Sequence, residues 1–117
     1  MIGSTRAVRV FARARPTDLR KGFDGLWGLI RNELGHDPLD GDYFLFVNRS
    51  RTSAKVAHWD GTGICVYAKR LARGRFACLW DREPGEPVRL TTAELTLFLE
   101  GAKLAGRLPI SPAEIRF

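Results

Sequence analysis

The sequence predicts a single α+β domain in which an antiparallel sheet of about four to five strands packs against one or two helices. Three observations carry that expectation. Short apolar segments, alternating at 8–13 and continuous at 43–47, are bounded by turn formers. One apolar stripe recurs at helical spacing over 19–34. A capping box opens a second helix at Thr91. With 117 residues, 44% hydrophobic and 27% charged, the chain has the size and composition of one globular domain able to bury a core. Its longest apolar runs, such as 44–47, fall far short of a membrane span. Arg6, Arg9, Arg13 and Arg15 interrupt any apolar leader, so a cytoplasmic protein with no membrane partner is expected.

Val8, Val10 and Ala12 alternate with Arg9, Phe11 and Arg13, the pattern of a half-buried strand. Pro16-Thr17-Asp18 stops it, and Thr17 or Asp18 can cap the first N–H groups of a helix. Leu19, Phe23, Leu26, Ile30 and Leu34 trace the stripe of that helix, which Gly35 closes. Gly22, Gly25 and Gly28 each weaken it by roughly 1 kcal/mol relative to Ala. They offer a small-residue face for a close backbone approach, or else leave the first turns irregular.

After a polar connection at 37–42, strands are expected at 43–47, 54–59, 64–69 and 75–80. Asp60-Gly61-Thr62-Gly63 is a strong hairpin signal, because Asp-Gly tolerates positive φ. The resulting arrangement is an antiparallel meander with one face covered by helix. Pro84-Gly85 marks a turn, read as type II. Thr91 at the N-cap and Glu94 at N3 then form the capping box, Leu90 and Leu95 its hydrophobic staple, and Gly101 ends the helix. The domain spans residues 1–117, with 106–117 a partly ordered, proline-bearing tail.

Chemistry finds little support. Cys65 and Cys78 are too few and too far apart for a zinc ribbon, and their apolar neighbours favour buried free thiols over a disulfide. His36 and His58 have no sequence neighbour that makes a metal pair. His58, beside Trp59 and Asp60, reads as a hydrogen-bonded sheet histidine before a general base. Asp18, Asp24, Asp40, Asp42 and Asp60 could supply a carboxylate cluster, yet scattered carboxylates are commoner as caps and turn residues. No catalytic residue, metal ligand or cofactor is assigned, and the chain is not read as an enzyme.

Charge is more informative. Arg49, Arg51, Lys55, Lys69, Arg70, Arg73 and Arg75 oppose only Asp60 within 49–75, so this segment carries the whole net charge of +6. Concentrated basicity attracts a polyanion and holds it through counterion release. These seven residues are therefore the candidate nucleic-acid-binding set. Most would position phosphates, with one Arg left to read a base edge. Ser and Thr hydroxyls between the cations of the 48–55 loop could engage successive phosphates as well. Its alternative role is a solvated hairpin that blocks edge pairing. Arg outnumbers Lys 15 to 4, which suits phosphate recognition, but a GC-rich genome gives the same bias. Trp59, Tyr67 and Phe76 could stack on bases; aromatic residues in strands are more often core, which is the reading for Trp59, with Tyr67 left open.

Three segments share a pattern. They are Pro16-Thr17-Asp18-Leu19-Arg20-Lys21-Gly22-Phe23-Asp24-Gly25-Leu26, then Trp59-Asp60-Gly61 through Lys69-Arg70-Leu71 and Arg73-Gly74-Arg75-Phe76, and finally Leu90-Thr91 with Leu99-Glu100-Gly101. In order and spacing they resemble the TnpB-type accessory proteins of bacterial insertion sequences of the sixty-six family, encoded beside a separate transposase. His58 and Ala68 stand where that family's pattern has aromatics, and the tail lacks its I-D-W sequence. The resemblance implies an accessory role in DNA transposition without transposase chemistry. The expected partner is nucleic acid, DNA first, with the element's transposase as a second partner. The alternative is an interaction module whose basic face docks the transposase without touching DNA. Oligomeric state, and the choice among double-stranded DNA, single-stranded DNA and RNA, stay open in the sequence.

Overall fold

A computed structural model describes residues 7–80 and 87–101. In chain order these form β1 (Val10–Ala12), α1 (Phe23–Asn32), a 3-10 turn (Pro38–Asp40), β2 (Tyr43–Val47), β3 (Ser53–Trp59), β4 (Ile64–Arg70), β5 (Val88–Leu90) and α2 (Thr92–Leu99). The expected turn at Pro84-Gly85 and the tail at 106–117 lie outside the described residues.

The strand order is β4-β3-β2-β1-β5. β2, β3 and β4 form the expected antiparallel meander, with Phe44 opposite Ala57 and Val56 opposite Tyr67. β1, however, joins β2 in parallel, Phe11 opposite Phe44, so the sheet is mixed. A parallel neighbour needs a crossover, and the stretch containing α1 supplies it. Asp42 fixes this register from the side. Its buried carboxylate accepts the Arg9 N–H at 3.1 Å and Arg9 Nη2 at 2.8 Å, while the Tyr43 N–H donates to the Arg9 carbonyl at 2.9 Å.

The expectation of one covered face is corrected: both faces are covered. β2 is apolar on each side, so neither side tolerates water. Phe44 and Phe46 pack with Leu26 and Ile30 of α1. Leu45 and Val47 point the other way, into a second core with Leu95 and Phe98 of α2. That second core also takes Phe76, Ala77 and Leu79, and therefore 75–80 is not the fourth strand expected from sequence. The sheet contains no strand from 75–80. Phe76 instead stacks on Phe98 at 5.2 Å with the rings 8° apart. The fifth strand is β5, antiparallel to β1, with Leu90 serving as both strand residue and helix staple.

α1 begins four residues later than the apolar stripe, with Gly22 at its N-cap and no side-chain cap. Thr17 and Asp18 do not cap it. The Thr17 N–H donates to the Val47 carbonyl at 2.8 Å, and Asp18 Oδ1 accepts the Arg20 N–H at 3.0 Å. Residues 13–22 thus make an irregular strap, and Phe23 is 55% exposed where the stripe placed it in the core. No other backbone approaches Gly22, Gly25 or Gly28 closely enough to explain them as a packing face. Gly35, at φ +69°, does turn the chain out of the helix as expected. Cys65 and Cys78 form no disulfide with each other, and each is half-buried rather than buried.

The capping box of α2 is as expected. Thr91 Oγ1 accepts the Glu94 N–H at 3.0 Å, and Glu94 Oε1 accepts the Thr91 N–H at 2.7 Å. Gly101, at φ +78°, follows the last turn. Thr91→Ala should destabilise the domain by about 1 kcal/mol, a fall in Tm of roughly 4 °C. Thermal unfolding by circular dichroism checks this, and an unchanged Tm would show the cap to be dispensable.

Candidate nucleic-acid interface

The loop joining β2 to β3 is organised by one side chain. Asn48 Oδ1 accepts the N–H groups of Thr52 and Ser53 at 2.9 and 3.1 Å, and Asn48 Nδ2 donates to Ser50 Oγ and Thr52 Oγ1, both at 3.2 Å. Asn at a turn start favours this self-bonding. The hydroxyls of Ser50 and Thr52 also bond each other at 3.0 Å, so they are engaged in holding the loop. Arg49 and Ser50 remain exposed at its tip.

Arg51 is directed inward. It has φ +61°, a conformation uncommon for a non-glycine residue. Its carbonyl accepts the Phe76 N–H at 2.7 Å, and its Nη1 donates to the Phe76 carbonyl at 3.2 Å. Arg51 thereby stitches the loop to the residue that plugs the second core. The Leu71 N–H adds a bond to the Thr52 carbonyl at 2.9 Å.

Beside this loop lies an open groove of about 1000 Å³. Residues 16–20 of the strap form one wall, residues 48–50 close one end, and residues 53–55 of β3 with 68–70 of β4 complete the lining. Ser53 pairs with Arg70 and Lys55 with Ala68, so Lys55 and Arg70 are diagonal neighbours on the α1 side of the sheet. Lys55 Nζ donates to the Lys21 carbonyl at 3.3 Å, which leaves further ammonium donors free. Four of the seven expected cations border this groove, Arg49, Lys55, Lys69 and Arg70; Lys69, opposite Ala54 of the second core, belongs to the sheet face away from Lys55 and Arg70, which leaves Arg49, Lys55 and Arg70 as the groove cations. Arg73 and Arg75 are exposed on the connection beyond β4 and lie outside it.

Arg20 joins the lining without having been singled out in sequence. Its Nε and Nη2 donate to Asp18 Oδ1 and Oδ2 at 3.0 and 2.8 Å, a fork-on-carboxylate pair at the surface. This pair holds the Asp18 carboxyl well below the ordinary carboxylate range, and Asp18 is the one carboxylate among the described residues that line the groove. The signal that could have found Arg20 is the run Asp18-Leu19-Arg20-Lys21, which a helix-cap reading absorbed.

Among the described residues, no aromatic side chain lines the groove. Phe76 is fully buried, and half-buried Trp59 meets Trp27 edge-on at 5.9 Å. Tyr67 is 54% exposed but pairs with Val56, on the sheet face opposite Lys55. The histidines are engaged in ring contacts: His36 stacks on Phe11 at 3.9 Å, and His58 meets Tyr43 edge-on at 4.6 Å. Among the described residues, no helix is long and apolar enough to cross a membrane.

A family model described as IS66 Orf2 like protein matches residues 8–107. The chain belongs to that family. This IS66 Orf2-like chain is 39% identical over 101 residues to the uncharacterized protein y4hO of Sinorhizobium fredii, covering 86% of each. It is 36% identical over 76 residues to the uncharacterized protein y4jC of the same organism, covering 65% of each. No solved structure matches it. Membership supports a coarse role as an accessory of insertion-sequence transposition. The matched region takes in the strap, the loop and both strands that build the groove.

Asp60, the one acid of the basic segment, is fixed at the β3–β4 tip. Its Oδ1 accepts the N–H groups of Thr62 and Gly63, each at 2.9 Å, and the Thr62 hydroxyl at 3.0 Å; Oδ2 accepts the Cys65 thiol at 3.4 Å. The Thr62 and Gly63 N–H bonds, then the two side-chain bonds, hold its carboxyl far below the ordinary value of 3.8, while burial and Asp60 itself push the Cys65 thiol up. A depressed folded-state pKa gives stability that is complete above the unfolded value and lost as pH falls through and below it. Tm should therefore fall between about pH 5 and pH 2, more steeply in the wild type than in Asp60→Asn, which keeps the Oδ1 acceptor but cannot titrate. Asp18 leaves a residual slope in both. Parallel Tm–pH curves would show that the tip carboxylate does not contribute.

Proposed function

We propose that this chain assists transposition by binding DNA in the groove between the 16–20 strap and the β3–β4 hairpin. One observation carries the proposal: segments distant in sequence bring Arg49, Lys55 and Arg70 into one lining whose only carboxylate among the described residues is already paired with Arg20. Such a surface is an uncompensated positive concavity, the form that concentrates field lines toward a polyanion. Family membership supplies the transposition context. Arg51 takes a supporting part, since its guanidinium faces the Phe76 carbonyl. Arg73 and Arg75 rank below the groove cations because they lie outside the lining.

Salt titration of the purified protein against labelled DNA tests this. Three phosphate contacts give a slope of log affinity against log salt of about −3, at roughly −0.9 per phosphate. Arg49→Gln with Arg70→Gln should weaken binding and reduce the slope's magnitude by about 2, whereas Arg73→Gln with Arg75→Gln should change it less. Asp18→Asn should act in the opposite direction. It retains an oxygen for the Arg20 N–H, frees the Arg20 guanidinium, and should steepen the slope by about 1. A gain of affinity cannot come from damaged folding. If the protein leaves DNA unbound but holds the transposase through Arg49 and Arg70, the basic face is a protein-docking surface and the proposal fails.

A further inference from the structure

We infer, resting on the nucleic-acid reading above, that the groove receives the sugar–phosphate ridge of a DNA duplex and touches no base. Shape is the first argument. Reading base edges requires an element that protrudes into a DNA groove, as a helix or two-stranded ribbon does in the roughly 12 Å major groove. Here the cations line a depression of about 1000 Å³. A depression accepts a ridge, and the ridges of a duplex are its two backbones.

Lining chemistry is the second argument. Proteins that hold single strands combine a basic track with aromatic platforms on which successive bases stack. Among the described residues this lining has the basic track and no aromatic residue; on the Lys55 face it has Ser53 and Ala68 where a platform would stand. Tyr67, the exposed aromatic of β4, belongs to the opposite face. Asn48, a residue type suited to adenine, has both amide atoms engaged within its own loop.

Rigidity is the third. The Thr17–Val47 backbone bond and the Arg13 bonds to the Pro16 carbonyl at 3.0 Å and Thr17 Oγ1 at 3.1 Å fix the strap wall. The sheet and the Asn48 bonds fix the remainder. A preformed wall suits the regular backbone of a duplex. Contacts confined to phosphate carry no sequence information.

The test compares two 20-base-pair DNA duplexes of unrelated sequence with a 20-nucleotide oligo(dT) strand, at one low salt concentration. Both duplexes should bind within about threefold of each other and roughly tenfold or more tighter than the strand. Arg49→Gln with Arg70→Gln should weaken both duplexes by the same factor, and Tyr67→Ala should leave them unchanged. Oligo(dT) binding as tight as duplex, or loss of binding in Tyr67→Ala, overturns the duplex inference while the nucleic-acid reading stands. A tenfold preference between the duplexes overturns the claim that no base is touched. Binding to none of the three probes overturns the nucleic-acid reading itself, and this inference with it.

Discussion

A strand that is apolar on both faces obliges the chain to build a layer on each side. β2 imposes that constraint, since Phe44 and Phe46 point one way and Leu45 and Val47 the other, and all four are fully buried. α1 meets the first pair. α2 is only eight residues long, and the irregular segment carrying Phe76 and Leu79 completes the cover of the second. The parallel partner β1 follows from the same demand, because a crossover through α1 places a helix over the sheet while returning the chain beside it.

The groove lies where this cover stops. α1 starts only at Phe23, and the strap before it is tied to the end of β2 through the Val47 carbonyl. On the α1 side of β3 and β4, apolar contact therefore gives way from Ala57 and Val66, which pack on α1, to Lys55 and Arg70. Field strength there depends as much on where the acids are as on where the bases are. Asp60 is held in a turn at the far end of β3, Asp18 by Arg20, and Asp42 by Arg9. None is free to neutralise the groove cations.

Local features were legible in the sequence, and distant pairings were not. The Asp-Gly hairpin between β3 and β4, the continuous apolar run of β2 and the capping box at Thr91 each depend on residues close in the chain. Parallel pairing of β1 with β2 depends on a crossover of some thirty residues between Ala12 and Tyr43, which leaves no local trace. β5 has three residues, too few for a period to declare itself. The run at 75–80 has the composition of a strand, and only its place over the second core reveals that it plugs instead. For the site, the charge map found Arg49, Lys55 and Arg70 because they are part of an excess in sequence. It missed Arg20, whose neighbour Asp18 cancels it in a count. It also could not separate Arg51 from Arg49, since the partner that claims Arg51 lies 25 residues away.

That partner has a consequence for how the loop moves. Through Arg51 the β2–β3 loop is bonded to both the N–H and the carbonyl of Phe76, and Phe76 is stacked on Phe98 inside the second core. Surface loops ordinarily open on their own, well below the free energy of global unfolding. Here, releasing Arg51 disturbs the backbone of a fully buried residue, so loop and core belong to one cooperative unit. The entropy of fixing the Arg49 tip is then lost once, during folding, and little of it remains to be lost when a ligand arrives.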